Sequence, residues 1–160
     1  MVVDTSALMA LLLAEPDARL VAEALEDDPS PIIAAPTLVE AMIVTEARLG
    51  AEGVLDLQRI LAEADIITVP FDEGDAFLAA EAWRRFGKGR HSAGLNLGDC
   101  FAYAVATRRG ERLLFVGDDF RHTDVEAALG PEGFVPENRA AEEAASATAA
   151  DLVLEDRANH

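Results

Sequence analysis

The chain has 160 residues, of which 51% are hydrophobic, so it is long enough and apolar enough for one globular domain with its own core. Its net charge of −17 argues against non-specific nucleic-acid binding, because phosphate contacts normally need a basic surface. No apolar run approaches the roughly 20 residues of a membrane span, and no secretory signal is recognisable. The single cysteine, Cys100, excludes an internal disulfide. We therefore expect a soluble, cytoplasmic protein with no membrane partner.

Short apolar segments alternate with helical patterns along the chain. Strands are predicted at residues 2–3, 32–35, 66–69 and 113–116, with a fifth, edge strand at 134–135. Helices are predicted at residues 7–15, 17–27, 37–49, 52–64, 73–86, 99–108 and 123–129, with Gly50 separating the third from the fourth. This alternation predicts an α/β fold, a three-layer α/β/α domain around a central, mostly parallel sheet of four or five short strands.

The composition changes near residue 137. Residues 140–150 are rich in alanine with scattered acids, and they lack an apolar stripe. We expect the folded domain to span residues 1–136 and residues 137–160 to form an acidic, alanine-rich, weakly ordered tail.

Acidic residues follow the ends of the predicted strands. Asp4 ends the first strand, Glu40 and Asp99 lie in the first turns of later helices, and Asp118 and Asp119 follow the fourth strand. Ligands in open α/β sheets bind beyond the carboxyl ends of the strands, so we expect these acids to converge there. Clustered carboxylates repel one another unless they are protonated or bound to a cation, and all-oxygen ligands suit Mg²⁺ or Mn²⁺.

Three of these acids also have a purely structural explanation, whereas a turn would explain one of Asp118 and Asp119 but not both. Asp4 is able to cap the following helix, and Thr37 to Glu40 matches a capping box. Asp99 lies in a first turn that Asn96 is able to cap, where the helix dipole favours an acid. The arrival of all of them at one sheet edge is what favours a functional site.

Several motifs occur together in the order of a known family. They are Val2-Val3-Asp4-Thr5-Ser6-Ala7, Glu40, Gly94-Leu95-Asn96-Leu97-Gly98-Asp99-Cys100 and Gly117-Asp118-Asp119-Phe120. This set resembles the PIN-domain ribonucleases. The runs from Phe86 to His91 and from Asp119 to Asp124 are similar to those of the VapC toxins of VapBC toxin–antitoxin modules. The resemblance covers about residues 1–130.

The resemblance implies a Mg²⁺-dependent endoribonuclease, with Mn²⁺ as a substitute, that is inhibited by a VapB-type antitoxin. It implies catalytic roles for Asp4, Glu40, Asp99 and Asp119, and metal binding by Asp4, Asp99, Asp118 and Asp119. The choice of fourth acid stays open between Asp118 and Asp119, with Asp119 preferred. Hydrolysis by metal-activated water would leave 5′-phosphate and 3′-hydroxyl ends.

Polar and basic side chains near these motifs are the expected RNA contacts: Thr5, Ser6, Arg84, Arg85, Lys88, Arg90 and Asn96. The basic run from Arg84 to His91 is the densest positive cluster of the chain, although cations also favour helix ends for structural reasons. Trp83 and Phe86 are expected in the core rather than as base-stacking platforms. A homodimer through helices 37–49 and 52–64 is expected, unless their apolar stripes belong to the core.

Two other functional classes remain open at this point. A metal-dependent phosphatase with an aspartyl nucleophile needs a second aspartate two residues after the first, and this chain has Ser6 there. A catalytically silent PIN-like binding module would not need all four acidic positions, which this chain retains.

Overall fold

A computed structural model describes residues 1–130 of the chain. Within this part, four strands form one parallel sheet: β1 (Val2–Val3), β2 (Ile32–Ala34), β3 (Ile67–Val69) and β4 (Leu113–Leu114). Their order in the sheet is β3-β2-β1-β4, and every pairing is parallel. Short, apolar strands of this kind are typical of a parallel sheet that is covered on both faces.

Five α-helices cover the sheet in the described part of the chain. They are α1 (Thr5–Leu12), α2 (Ala18–Asp27), α3 (Ala35–Glu63), α4 (Glu73–Phe86) and α5 (Leu97–Arg109). Val3 and Leu114 pack with apolar residues of α1, α2 and α3, whereas Val2 and Leu113 pack with those of α4 and α5. Neighbouring strand residues therefore face opposite layers, and the predicted three-layer α/β/α fold is confirmed.

The long helix α3 contains the break that the sequence predicts at Gly50. This residue has φ 70° and ψ −165°, a left-handed conformation that favours glycine. The predicted helices 37–49 and 52–64 are thus two arms of α3 that meet at a kink.

The segment after β4 differs from the prediction. The helix expected at residues 123–129 is wrong: a 3₁₀ turn covers Asp119–His122, and Ala127 forms an isolated parallel bridge with Leu113. The Thr123 hydroxyl donates to the Phe120 carbonyl (2.7 Å) and accepts from the Val125 amide (3.3 Å). Local side-chain bonds of this kind compete with helix formation.

Three predictions lie outside the described residues: the edge strand at 134–135, the domain boundary at 136 and the tail at 137–160. Among residues 1–130, no helix combines the length and the apolar character that crossing a membrane requires.

Candidate active site

Asp4 lies directly after β1 at the carboxyl edge of the sheet and is almost fully buried. Its Oδ2 accepts hydrogen bonds from the Ser6 amide (2.9 Å) and the Ser6 hydroxyl (2.6 Å), so Asp4 also caps α1. Its Oδ1 is buried and has no hydrogen-bond partner among residues 1–130. A buried carboxylate oxygen without a partner is unfavourable, and it marks a place where a cation or proton would be stabilised.

Ser6 connects Asp4 to the end of the neighbouring strand β4. Its Oγ donates to Asp4 Oδ2 and accepts from the Val116 amide at 3.1 Å. Val116 immediately precedes the loop that carries Asp118 and Asp119. Ser6 therefore holds one oxygen of Asp4 in place, and its contact with substrate stays a prediction.

Glu40 lies near the start of α3 and is partly buried. Its Oε2 accepts a hydrogen bond from the Thr5 hydroxyl at 2.9 Å, across 35 positions of the chain. Thr5 itself follows Asp4 at the end of β1. The first residues of α1 and α3 thus bring Asp4 and Glu40 to the same edge of the sheet.

The capping-box explanation for Glu40 is wrong. Helix α3 begins at Ala35, two residues before Thr37, and it has no side-chain cap. Pro36 lies in the first turn, where proline needs no amide hydrogen and its fixed φ suits a helix. Thr37 is therefore inside the helix and fully buried, and Glu40 is directed to Thr5 instead.

Asp99 lies in the first turn of α5. The Asn96 side chain accepts from the Asp99 amide (3.0 Å), and Asp99 Oδ2 accepts from the Asn96 amide (2.7 Å), which together form a capping box. A Cβ atom at Gly98 would overlap the Glu40 carboxylate. Glycine at this position therefore lets Glu40 lie directly against the turn that carries Asp99.

The acids influence one another electrostatically. Burial is the largest cause that raises the pKa of Asp4, Glu40 and Asp99, and for Asp99 the pKa rises to about 7. Repulsion adds to each rise: from Asp119 on Asp4, from Asp4 on Glu40, and from all three other acids on Asp99. Sequence reasoning therefore identified four acids that the fold does bring near one another.

Asp119 contributes to this electrostatic coupling more clearly than Asp118. Its charge raises the pKa of both Asp4 and Asp99, and Asp118 is not among the causes of either shift. The Asp118 and Asp119 side chains are both exposed, and Asp118 lies 3.8 Å from the Arg121 guanidinium. Of the two candidates for the fourth acid, the electrostatics favour Asp119.

The acids do not form a complete metal cluster as they stand. Within residues 1–130, no three Asp, Glu, His or Cys side chains lie close enough together to hold one ion. The residues nevertheless fit a hard divalent cation: the donors are all oxygen, Asp4 Oδ1 has no partner, and burial raises the pKa of three carboxyls. Carboxylates that repel one another gain from a cation that neutralises them.

A second set of contacts, which sequence reasoning missed, holds the segment after Asp119. The Asp124 carboxylate accepts from the Tyr103 hydroxyl and from Arg85 (2.6 Å), and Phe120 is buried against Phe115 with ring centroids 5.0 Å apart. The Tyr103 bond, followed by Arg85, holds the pKa of Asp124 below its usual range. The position of Asp124 in the motif that begins at Asp119 was the only available signal.

The basic cluster lies at the end of α4 and in the loop after it. Arg84 and Lys88 are exposed, Arg85 pairs with Asp124, and the Arg90 guanidinium lies 4.1 Å from the centroid of the Trp83 ring. Arg85 is therefore less available to RNA than was expected.

The expectation that Trp83 belongs to the core is wrong, whereas Phe86 is buried as expected. The buried face of α4 is formed by Ala79, Ala82 and Phe86. Trp83 lies one position after Ala82, about 100° further round the helix, and 42% of it is exposed.

The chain matches the family model described as PIN domain over residues 1–126. Two solved structures have a similar fold, each with a TM-score of 0.61. Mycobacterium tuberculosis VapC20, described as a sarcin-ricin loop cleaving toxin, is 18% identical, and the match covers 78% of this chain and 95% of that one. VapBC2 from Rickettsia felis, bound to a DNA fragment from its promoter, is 12% identical, with 79% and 95% covered. The match defines the class of protein, an α/β domain of the PIN type.

Comparison with relatives of known name identifies the group within this class to which the chain belongs. The chain is 49% identical over 127 residues to Ribonuclease VapC of Mycolicibacterium smegmatis, which covers 79% of this chain and 98% of the relative. It is 46% identical over 133 residues to Ribonuclease VapC30 of Mycobacterium tuberculosis, with 82% and 100% covered. The chain belongs to the PIN-domain family and, within it, to the VapC ribonucleases. The resemblance that the motifs indicate is confirmed.

Proposed function

We propose that the chain is a Mg²⁺-dependent endoribonuclease that acts as the toxin of a toxin–antitoxin module. Asp4, Glu40, Asp99 and Asp119 are its catalytic acids. The observation that carries this proposal is the buried Asp4 carboxylate, whose Oδ1 has no partner among the described residues. Glu40 and Asp99 lie near it, and burial together with repulsion between the acids raises the pKa of both. Ribonucleases of the PIN family are metal-dependent, which agrees with this chemistry.

Asp4, Asp99 and Asp119 are the proposed metal ligands, with Asp118 as the substitute for Asp119. Their oxygen donors suit Mg²⁺, and Mn²⁺ would replace it because the two ions share ligand preferences. When bound, the ion makes water a stronger nucleophile and offsets the charge that develops on the phosphate.

Three polar side chains hold the acids in position. Ser6 holds Asp4, Thr5 donates to Glu40, and the Asn96 side chain caps the turn of Asp99. Pre-organised acids need no rearrangement at the moment of reaction, so these contacts are expected to affect turnover. We keep the prediction that Thr5, Ser6 and Asn96 also lie near the bound RNA.

The basic cluster is the proposed contact for the RNA backbone. Arg84 and Lys88 are exposed, and neither pairs with a carboxylate among residues 1–130. Arg85 and Arg90 are engaged with Asp124 and Trp83, so they are expected to contribute less as mobile charges. Phosphate contacts by such cations offset the acidic character of the chain locally.

A VapB-type antitoxin is the proposed protein partner. Solved VapBC complexes from Rickettsia felis and Salmonella typhimurium share the fold of this chain. An acidic site is a natural target for an antitoxin arginine, since arginine binds carboxylates through paired hydrogen bonds.

A homodimer through α3 also stays a proposal. Val39, Ile43 and Leu55 of this helix are more than half exposed, at 55%, 63% and 53%. Exposed apolar residues gathered on one helix favour association with another protein surface.

We further propose a cytoplasmic location and a nuclease domain of residues 1–136, followed by an accessory acidic tail at 137–160. The single cysteine suits a reducing compartment. The family match over residues 1–126 agrees with a domain of this size.

The test is cleavage of a mixed RNA pool by the purified full chain in Mg²⁺ and in EDTA, with Asp4→Asn and Asp99→Asn. Asp27→Asn is the matched control, because it makes the same change of charge at an exposed site on α2. We expect Mg²⁺-dependent cleavage by the wild type and the control, and a loss of at least about 100-fold in the two site variants.

Unchanged cleavage in EDTA, or in both site variants, would contradict the proposal. Turnover of a phosphomonoester but not of RNA would favour a phosphatase. Tight Mg²⁺ binding without any cleavage would favour a silent binding module.

A further inference from the structure

Trp83, near the end of α4, and Arg90, in the loop after it, form an exposed stacked pair. The Arg90 guanidinium carbon lies 4.1 Å from the centroid of the Trp83 ring, and Trp83 is 42% exposed. Trp83 is the only tryptophan of the chain. A guanidinium that covers one face of an indole has an outer planar face of its own, on which another planar group is able to stack.

The sequence segment that contains this pair is rich in basic residues, unlike the chain as a whole, although Arg85 within it pairs with Asp124. Four of the 13 basic residues lie between Arg84 and Arg90, and no acidic residue occurs from Ala82 to Gly98. The protein as a whole carries a net charge of −17. A polyanion is therefore attracted to this segment in preference to most of the surface.

The pair is also close to the acidic site along the chain. Gly87 pairs with Leu95 across the base of the loop: the Lys88 amide donates to the Leu95 carbonyl, and the Leu95 amide donates to the Phe86 carbonyl. Asn96 follows immediately and begins the turn of Asp99. These steps place the Cα atoms of Trp83 and Asp99 within roughly 20 Å of each other, a span of a few nucleotides.

We propose that the Trp83–Arg90 stack binds one unpaired base of the RNA substrate, with Lys88 and Arg84 on the adjacent phosphates. Arg90 lies between the indole and the base, so the base is recognised by its flat face rather than by its hydrogen-bonding edge. This mode suits single-stranded RNA, whose bases are able to leave the stack and lie on a protein platform. The inference rests on the proposed ribonuclease function and adds a base-binding subsite to it.

An acidic protein segment is the alternative occupant of the same cluster. The stack itself argues against it, because a carboxylate would pair with the edge of the Arg90 guanidinium and would gain nothing from the planar face. Exposed Lys88 and Arg84 alone would serve an acidic peptide equally well.

The test uses the full chain with Asp4→Asn, so that bound RNA is not cut, and a short single-stranded RNA oligonucleotide of mixed sequence. Trp83 fluorescence reports contact at the pair directly, and anisotropy of labelled RNA reports affinity for every variant. The variants are Trp83→Leu, Trp83→Phe, Arg90→Lys and Lys88→Gln. Arg19→Gln is the matched control, because Arg19 is exposed on α2 and pairs only with the exposed Glu23 among the described residues.

We expect RNA to quench Trp83 fluorescence. Trp83→Leu and Arg90→Lys should weaken binding about fivefold or more, the equivalent of one lost stacked base, with an unchanged salt dependence. Lys88→Gln should instead lower the salt slope by about 0.7. Trp83→Phe should keep an intermediate affinity, which separates loss of the platform from loss of folding.

RNA affinity within twofold of the parent in both Trp83→Leu and Arg90→Lys would overturn the inference, and so would equally strong quenching by polyglutamate. If wild-type protein still cleaves RNA in that case, the base-binding subsite alone has failed. If no RNA binds or is cleaved under any condition, the proposed function has failed as well.

Discussion

Gly98 and the Glu40 carboxylate are in direct contact, so that the first turn of α5 packs against an acid of α3. A Cβ atom at residue 98 would overlap Glu40, although Gly98 does not have a positive φ. The glycine is needed for space and not for backbone freedom. This contact, between residues 58 positions apart in the sequence, places Glu40 against the turn that carries Asp99.

Gly98→Ala is therefore expected to displace the Glu40 carboxylate, the end of a flexible side chain, and to lower RNA cleavage by about 10-fold or more. The loss caused by Gly98→Ala should be smaller in a Glu40→Asp background, because the shorter aspartate side chain leaves room for the alanine methyl group. A double-mutant cycle on cleavage rates measures this coupling. Strictly additive effects of the two substitutions would mean that the contact has no role in catalysis.

The raised pKa of Asp99 predicts a pH-dependent stability in metal-free protein. Burial raises the pKa of Asp99 in the folded state to about 7, above the usual value of 3.8, so the folded state holds the proton more tightly. The free energy of unfolding should therefore fall as the pH rises between these two values, by an amount on the order of a few kcal/mol.

Urea denaturation in EDTA at acidic and at neutral to slightly alkaline pH measures this effect, with Asp99→Asn as the comparison. The variant should lose this part of the pH dependence and gain stability relative to wild type at high pH. Addition of Mg²⁺ should restore wild-type stability there, because an ion that binds only the folded state stabilises it. Identical pH profiles for the two proteins would contradict the prediction.

Asp124 is expected to matter through position rather than chemistry. Tyr103→Phe removes a hydrogen bond to the Asp124 carboxylate and should cost about 1 kcal/mol of stability, with a further loss of cleavage as the Asp119 segment loosens. Glu23→Gln is the control, since it breaks an exposed ion pair with Arg19 and should cost less than about 0.5 kcal/mol. Equal effects of the two substitutions on cleavage would contradict a positioning role for Asp124.

Hydrolysis by activated water predicts the chemistry of the cut ends. Attack by water leaves a 5′-phosphate and a 3′-hydroxyl, whereas attack by the ribose 2′-hydroxyl leaves a cyclic phosphate. Ligation of the downstream fragment without prior kinase treatment tests for the 5′-phosphate. As a complementary test, RNA whose 2′-hydroxyl at the cut position is replaced by hydrogen should still be cleaved. Cyclic phosphate ends would rule out the proposed mechanism.

Local sequence patterns were sufficient to locate Asp4, Asp99 and helix α4, whose bounds at Glu73–Phe86 match the prediction. Those features depend on interactions between residues that are close in the sequence, within one or two helical turns, such as the Asn96–Asp99 capping box. The Thr5–Glu40 bond and the outward position of Trp83 depend on how distant elements pack. The capping box predicted at Thr37 is wrong because α3 already begins at Ala35, with Pro36 in its first turn. Thr37 therefore lies inside the helix, where its side chain is buried.

The most direct test of the central claim is calorimetric titration of Mn²⁺ and Mg²⁺ into the 160-residue chain and its Asp4→Asn variant. We predict that the wild type binds at least one ion per chain and that Asp4→Asn, which changes the oxygen without a partner, weakens binding about 10-fold or more. Binding of equal strength in both proteins, or none in a wild type that still cleaves RNA, would contradict a metal centre built around Asp4.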